Sequence, residues 1–172
     1  LGERAFSKKE QCMRLTVEEA YRAHADAVFA AAFSVCRSRA DADDVVQDTF
    51  LRYLTKPKEF DSAAHLKAWL LRVAINRATD LTRSRWRDHL SWEEEIAALP
   101  FEAPEDERLM DAVLQLQEQD RIVVHLYYFE GYSVKEIAQL IQRREGTVKS
   151  RLSRARAALK TMLQEEWNDD EP

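Results

Sequence analysis

Between Ser133 and Leu163 eight lysines and arginines stand against two carboxylates, in a chain of 172 residues whose formal net charge is −5. Lys149, Ser150, Ser153 and Arg154 supply the chemistry of polyanion recognition, since Arg and Lys reach guanine edges and hydroxyls reach phosphates. Val148, Leu152, Ala155, Leu159 and Met162 recur at helical spacing and make one narrow apolar stripe. At about 100° per residue, Lys149, Ser150, Ser153, Arg154 and Lys160 lie away from that stripe, with Arg151 and Arg156 on its flanks. A helix that packs by one stripe and offers cations and hydroxyls outward suits a major groove. A charge run by itself is more often a solvated face. What favours recognition is the preceding segment. Ser133 and Glu136 form a capping box that starts a helix, Ile137, Ala138 and Ile141 give it a core side, and Gln142, Arg143, Arg144, Glu145 and Gly146 end it in a short charged turn before Thr147. The combination reads as a helix-turn-helix.

A second group of chemically capable residues is acidic. Asp41, Asp43 and Asp44 crowd a helix start, where carboxylates are stabilised by the helix dipole by about 0.3–1 kcal/mol each. Val45, Val46, Phe50, Leu51 and Leu54 give that helix an apolar face, and Asp44, Gln47, Asp48 and Leu51 form an i, i+3, i+4, i+7 stripe. The stripe is either a docking surface or a solvent-facing one. A metal-dependent nuclease is disfavoured, because a helix start explains the Asp cluster and no His or Glu is spaced to complete a site.

A third group follows. The segment from Lys56 to Ser62, with Lys58 and Phe60, is a loop fixed by Pro57. The next helix has Leu66, Trp69, Leu70, Val73, Ala74 and Leu81 as its core side and Lys67, Arg72, Asn76, Asp80, Arg83, Arg85 and Arg87 as its polar remainder. Basic side chains beside a short aromatic-containing loop could hold a single strand whose bases are unstacked. Trp69, at core spacing, fits packing better than base stacking.

The elements that position these groups are helices. Three glycines and four prolines leave few breaks. The spacing predicts an all-α chain of two small helical domains, Met13–Leu90 and Arg108–Trp167, joined by a flexible acidic linker, Ser91–Glu107, whose like charges repel and whose prolines stop helices. A capping box at Thr16 and Glu19 starts the first helix, which should end near Arg37–Ala40, and its many alanines imply close helix packing. The second domain is a four-helix unit in which Val113, Leu116, Ile122, Val123, Leu126 and Phe129 roof the helix-turn-helix, with Gly131 in a left-handed position. Cys12 and Cys36 show no metal-ligand spacing with each other or with the four histidines. No signal peptide or bilayer-length apolar run is present, so membrane insertion is not expected and a cytoplasmic location is. The acidic balance matters, because a DNA-binding protein that works alone is usually basic overall.

Four stretches in order, DADDVVQDTFLRYL, HLKAWLLRVAINRATDLTRSRWR, YYFEGYSVKEIAQLI and EGTVKSRLSRARAAL, resemble the sigma-70 superfamily, and the two-lobed layout resembles its extracytoplasmic-function (ECF) group. The resemblance spans roughly Val17 to Leu163. It implies a bacterial transcription initiation factor, not an enzyme and without cofactor, that binds core RNA polymerase and promoter DNA. Asp44, Gln47, Asp48 and Leu51 would meet the polymerase. Lys56, Lys58, Phe60, Arg72, Asn76, Asp80 and Arg83 would melt and read the -10 element, and Arg143, Arg144, Thr147, Lys149, Ser150, Ser153 and Arg154 would meet the -35 element. The acidic linker would thread toward the RNA exit path. Members are often restrained by an anti-sigma factor. In the turn the sequence departs from the family: Gln142, Arg143 and Arg144 stand where a Gly, an aliphatic residue and a capping Ser or Thr are usual. Loss of the cap costs about 0.5–2 kcal/mol, and a non-glycine in a left-handed position about 1–2. An interaction protein that binds polymerase or an antagonist without directing promoter choice is the competing reading. A one-lobe activator binding duplex DNA as a dimer would leave the first lobe unexplained.

Overall fold

The computed structural model describes residues 15–55, 59–87 and 107–169, the side chains of 85–87, 107 and 165–169 excepted. The acidic segment expected as a linker, apart from Glu107, and Lys56 and Lys58 lie outside the described residues. The elements are helices: α1 (Val17–Cys36), α2 (Arg39–Thr55), α3 (Ala63–Arg87), α4 (Glu107–Gln115), α5 (Glu118–Val124), a π-helical turn (His125–Phe129), α6 (Val134–Leu140) and α7 (Glu145–Asp169). The all-α expectation holds, with α1–α3 as one lobe and α4–α7 as the other.

Both capping boxes form as the sequence predicts. Thr16 and Ser133 each accept from the third backbone N–H, and Glu19 and Glu136 each reach back to the cap's own N–H at 2.8 Å. Gly131 takes the left-handed conformation at φ 73°. The helix-turn-helix bends at Gln142, at φ 54°, so a γ-branchless but Cβ-bearing residue occupies the strained position. Helix α7 begins at Glu145, two residues before Thr147, and its first backbone bonds run to the Arg144 carbonyl, at 2.9 Å from Thr147 and 3.2 Å from Val148.

The core has its centre in α1. Every residue from Val28 to Cys36 is buried, which is what an alanine-rich helix with apolar residues on all sides requires. One side packs on α2 and α3, and another on α5 and the π turn. Buried Val28, Phe33, Leu70 and Leu71 therefore share one hydrophobic cluster with Ile122, Val123, Leu126, Ile137 and Leu152 of the other lobe. Helix α3 buries Leu71, Ile75 and Ala78 beside the expected Leu66, Leu70 and Ala74.

Three apolar expectations are corrected. Leu51 and Leu54 are exposed rather than part of the α2 core side, which consists of Val45, Val46, Phe50 and Tyr53. Phe129 is 43% exposed. The i→i+5 bonding of the π turn, with Glu130 N–H donating to the His125 carbonyl at 3.2 Å, shifts the helical register and turns Phe129 off the core side.

A buried arginine helps to fasten the lobes. Arg121 of α5 is buried, and its guanidinium donates to the carbonyls of Ser34, Val35 (3.3 Å), Leu114 (2.9 Å) and Leu116 (2.6 Å). These belong to the C-terminal end of α1 and to the end of α4, where backbone carbonyls lack intrahelical partners and the helix dipole is negative. Burial pushes the guanidinium down to about 10, with a smaller push from Arg37, which still leaves it charged at neutral pH. Replacing Arg121 by Met keeps volume but removes every donor, and should destabilise the chain by about 2–4 kcal/mol. The check is the urea midpoint, which should fall well below that of the parent chain.

Candidate nucleic-acid interface

Helices α6 and α7 meet through buried Ile137, Ala138, Leu140, Val148 and Leu152, while Ala155 of α7 packs with Val113, Leu116 and Val124. That packing leaves Lys149, Ser150, Ser153 and Arg154 exposed on the outer side of α7, with Thr147 half-buried and Arg143 and Arg144 exposed at the turn. Lys135, Gln139, Arg143, Arg144 and Thr147 line a shallow concavity between α6 and the turn. Here the -35 residues expected from the sequence do come together on one surface.

Their states differ. The Ser150 hydroxyl points its proton at the helix backbone, with the Gly146 carbonyl at 3.0 Å and the Thr147 carbonyl at 3.1 Å. In that rotamer it offers a neighbour lone pairs, not a donor for phosphate. Arg154 is held by Asp120 of α5, and Arg151 donates to Gln119 at 2.5 Å. Arg156 donates to the Tyr128 hydroxyl at 2.7 Å and lies 5.8 Å from the centres of both the Tyr127 and Tyr128 rings. Asp120 and Gln119 were not singled out in the sequence, because a polar residue in the first turn of a short helix reads as a dipole or cap residue.

On the first lobe, Asp44, Gln47 and Leu51 are exposed along α2. Asp48 is half-buried and pairs with Arg77 of α3 at 2.7 Å. The stripe is thus a continuous surface braced from the neighbouring helix. Asn76, Asp80 and Arg83 are exposed along α3. Phe60 is the correction: it is 0% exposed, with ring centres 6.1 Å from Tyr53 and 5.6 Å from Trp69. It offers no face to a base in this conformation, and Trp69 packs as expected.

Arg72 is half-buried at the edge of a cleft lined also by Trp69, Tyr132 and Gln139, and its guanidinium is engaged across it. Its Nε donates to the Leu140 carbonyl at 3.1 Å and its Nη2 to the Gln139 carbonyl at 2.5 Å, so it caps the C-terminal end of α6 in the other lobe. Nearby, Lys67 of α3 pairs with Glu130 at 2.7 Å, and His125 Nε2 lies 3.5 Å from the other carboxylate oxygen. Burial raises the Glu130 carboxyl, but the neighbouring His125 and Lys67 side chains outweigh it and hold the group below the usual carboxylate range. His24 of α1 is held below the usual imidazole range by burial first, then by the Lys67 charge, with Glu130 opposing. Among the described residues no three His, Cys, Asp or Glu side chains gather as metal ligands would.

Comparison with known proteins matches two family models, Sigma-70 region 2 over residues 20–88 and Sigma-70 region 4 over residues 106–159. The chain is 36% identical over 154 residues to the ECF RNA polymerase sigma factor SigL of Mycobacterium tuberculosis, covering 84% of this chain and 87% of that protein. It is 33% identical to the RNA polymerase sigma factor NccH of Alcaligenes xylosoxydans xylosoxydans, covering 82% and 83%. Among solved structures, the sigma factor RpoE of Bartonella quintana, in complex with the anti-sigma factor NepR, superposes with a TM-score of 0.72 at 27% identity, covering 86% of this chain and 96% of that one. CnrH, in complex with the cytosolic domain of CnrY, superposes at 0.62 with 27% identity, covering 90% and 89%.

The contact between the lobes has a pH dependence of definite sign. A histidine whose folded pKa lies below the ordinary 6.5 takes its proton later than in the unfolded chain, so stability is fully present above pH 6.5 and is lost as pH falls through the folded value. Glu130 acts in the same direction only below the ordinary 4.5. Urea midpoints measured at decreasing pH should therefore drop just below pH 6.5, and His24→Gln should flatten that segment; an unchanged slope in the variant would remove His24 as the cause.

Proposed function

The chain belongs to the sigma-70 family, in its ECF group, and from that membership we propose how its two lobes divide the work of promoter-directed transcription initiation. It is a transcription initiation factor, and sigma factors regulate transcription rather than catalyse a reaction. In our reading the unit 13–90 binds core RNA polymerase and the -10 element, 91–107 is the connecting acidic segment, and 108–167 reads the -35 element. The observation that carries this division is the exposed, basic outer side of α7, opposed by the exposed acidic stripe of α2 in a chain that is acidic overall.

The α2 stripe of Asp44, Gln47, Asp48 and Leu51 is the proposed polymerase contact. Asn76, Asp80 and Arg83 on α3, with Lys56 and Lys58, are proposed for the -10 strand, and Arg72 joins them only once it leaves the Leu140 and Gln139 carbonyls. Lys149, Ser153 and Arg154 are proposed to face bases, Arg143, Arg144 and Thr147 to lie nearer the phosphate backbone, and Ser150 to join them only once its hydroxyl leaves the Gly146 and Thr147 carbonyls. No helix among the described residues is long and apolar enough to cross a membrane, and action in the cytoplasm is part of the proposal. So is an anti-sigma partner, by analogy with the complexes of RpoE with NepR and CnrH with CnrY.

Run-off transcription with core enzyme and a randomised promoter pool tests the whole reading. The full chain should select defined -10 and -35 sequences, and combined replacement of Asp44, Gln47 and Asp48 by Ala should weaken core binding about tenfold or more, the scale of truncating one or two interface hot spots, with helix content unchanged. Arg77→Ala, which frees Asp48 without removing its carboxylate, should retain binding. Unaltered core binding by the triple variant would show that another surface docks.

The lobes are also expected to part on assembly. A donor–acceptor dye pair at Asp26 of α1 and Lys160 of α7 should lose energy transfer when core polymerase and promoter are added. Retained transfer would mean that Arg72 stays on α6 and takes no part at the -10 element.

A further inference from the structure

Arg154 on the outer side of α7 has an exposed side chain, at 62%, yet it is gripped from one edge by a carboxylate that is only 9% exposed. Its Nη2 donates to Asp120 Oδ1 at 2.8 Å and its Nε to Asp120 Oδ2 at 3.3 Å. One turn earlier, Arg151 donates a single hydrogen bond from Nη2 to Oε1 of the adjacent Gln119. The start of α5 thus braces the middle of α7, whereas Lys149 has no hydrogen-bond or ion-pair partner among the described residues.

A guanidinium carries five N–H donors in a rigid plane. Asp120 takes one from Nε and one from Nη2, which leaves both hydrogens of Nη1 and the second of Nη2. The remaining Nη1/Nη2 edge presents two parallel donors, the pattern that matches O6 and N7 of guanine in the major groove. An unbraced arginine would have to be ordered on binding, at an entropic cost, and could instead swing to any phosphate. Pairing with Asp120 also offsets its charge, so its share of the non-specific attraction to DNA is reduced.

We propose that Asp120 is a specificity-determining positioning residue: from behind the recognition helix it fixes the Arg154 fork so that its free edge reads one guanine of the -35 element. The inference rests on α7 being the -35 reader. Asp120 touches no DNA and acts only through Arg154.

The test uses the full chain assembled with core RNA polymerase and a promoter library randomised at the -35 element, selected at several salt concentrations. Asp120→Ala should reduce the preference for guanine at one position by roughly tenfold, within the range of a lost bidentate base contact, and should steepen the salt dependence by about one unit as the released cation finds a phosphate. Arg154→Ala should erase the same preference without steepening the slope, and the double variant should lose no more than Arg154→Ala. Asp120→Asn, which keeps the shape and removes the charge, serves as the second variant if Asp120→Ala fails to fold, and should also lose preference at that position. If Arg154→Ala loses the preference while both Asp120 variants keep it, Asp120 is merely structural and the proposal is overturned. If Arg154→Ala itself keeps it, the assignment of Arg154 as a base reader fails instead, and the proposal falls with it.

Discussion

Four backbone carbonyls, drawn from the ends of two helices in different lobes, converge on the single guanidinium of Arg121. A buried cation is ordinarily costly unless a carboxylate answers it. Here the answer is the unsatisfied carbonyls that a helix leaves at its C-terminus, together with the negative end of its dipole. The arrangement solves two problems at once, since the orphan carbonyls of α1 would otherwise be buried without donors. It also fixes where α5 begins, and with it Gln119 and Asp120, the residues that hold Arg151 and Arg154 on α7. The orientation of the recognition surface is therefore linked, through one short helix, to the end of α1.

The same logic recurs at the other contact between lobes. Arg72 caps the end of α6 as Arg121 caps the end of α1. In each case an arginine of one lobe completes a helix of the other, so the lobes are joined by backbone chemistry as well as by apolar burial. The Lys67–Glu130 pair adds charge to this contact. The residues that close the molecule and the residues proposed for promoter contact overlap at Arg72.

Local signals were legible in the sequence, and contacts at a distance were not. The capping boxes at Thr16 and Ser133, the left-handed Gly131 and the close packing of α1 follow from neighbours within one turn or from the run of alanines, and the structure has them. The turn at Gln142 was legible as a strained position only through the family resemblance, which places a glycine there; the structure has Gln142 at φ 54°. Phe60 was misread because an aromatic residue in a short polar loop looks available, whereas Tyr53 and Trp69 reach it from two different helices. Phe129 was misread because a π turn leaves no local signature and displaces the residues after it. Arg121, and the capping of α6 by Arg72, left no trace in the sequence because the partners are carbonyls, which every residue has and which therefore form no pattern. Asp120 looked like a residue of a helix first turn, which it also is.

The burial of α1 on both sides has a further consequence. With the lobes together, the run from Val28 to Cys36 has no face toward water. Parting them would uncover a strip of alanine, valine and phenylalanine down the middle of the molecule, and water would wet it at a cost proportional to its area. The opened chain is then a short-lived, adhesive species rather than a resting alternative. Separation is best understood as an exchange of coverings, in which one surface is peeled away as another arrives, and the timing of that exchange is governed by whatever can shield α1 next.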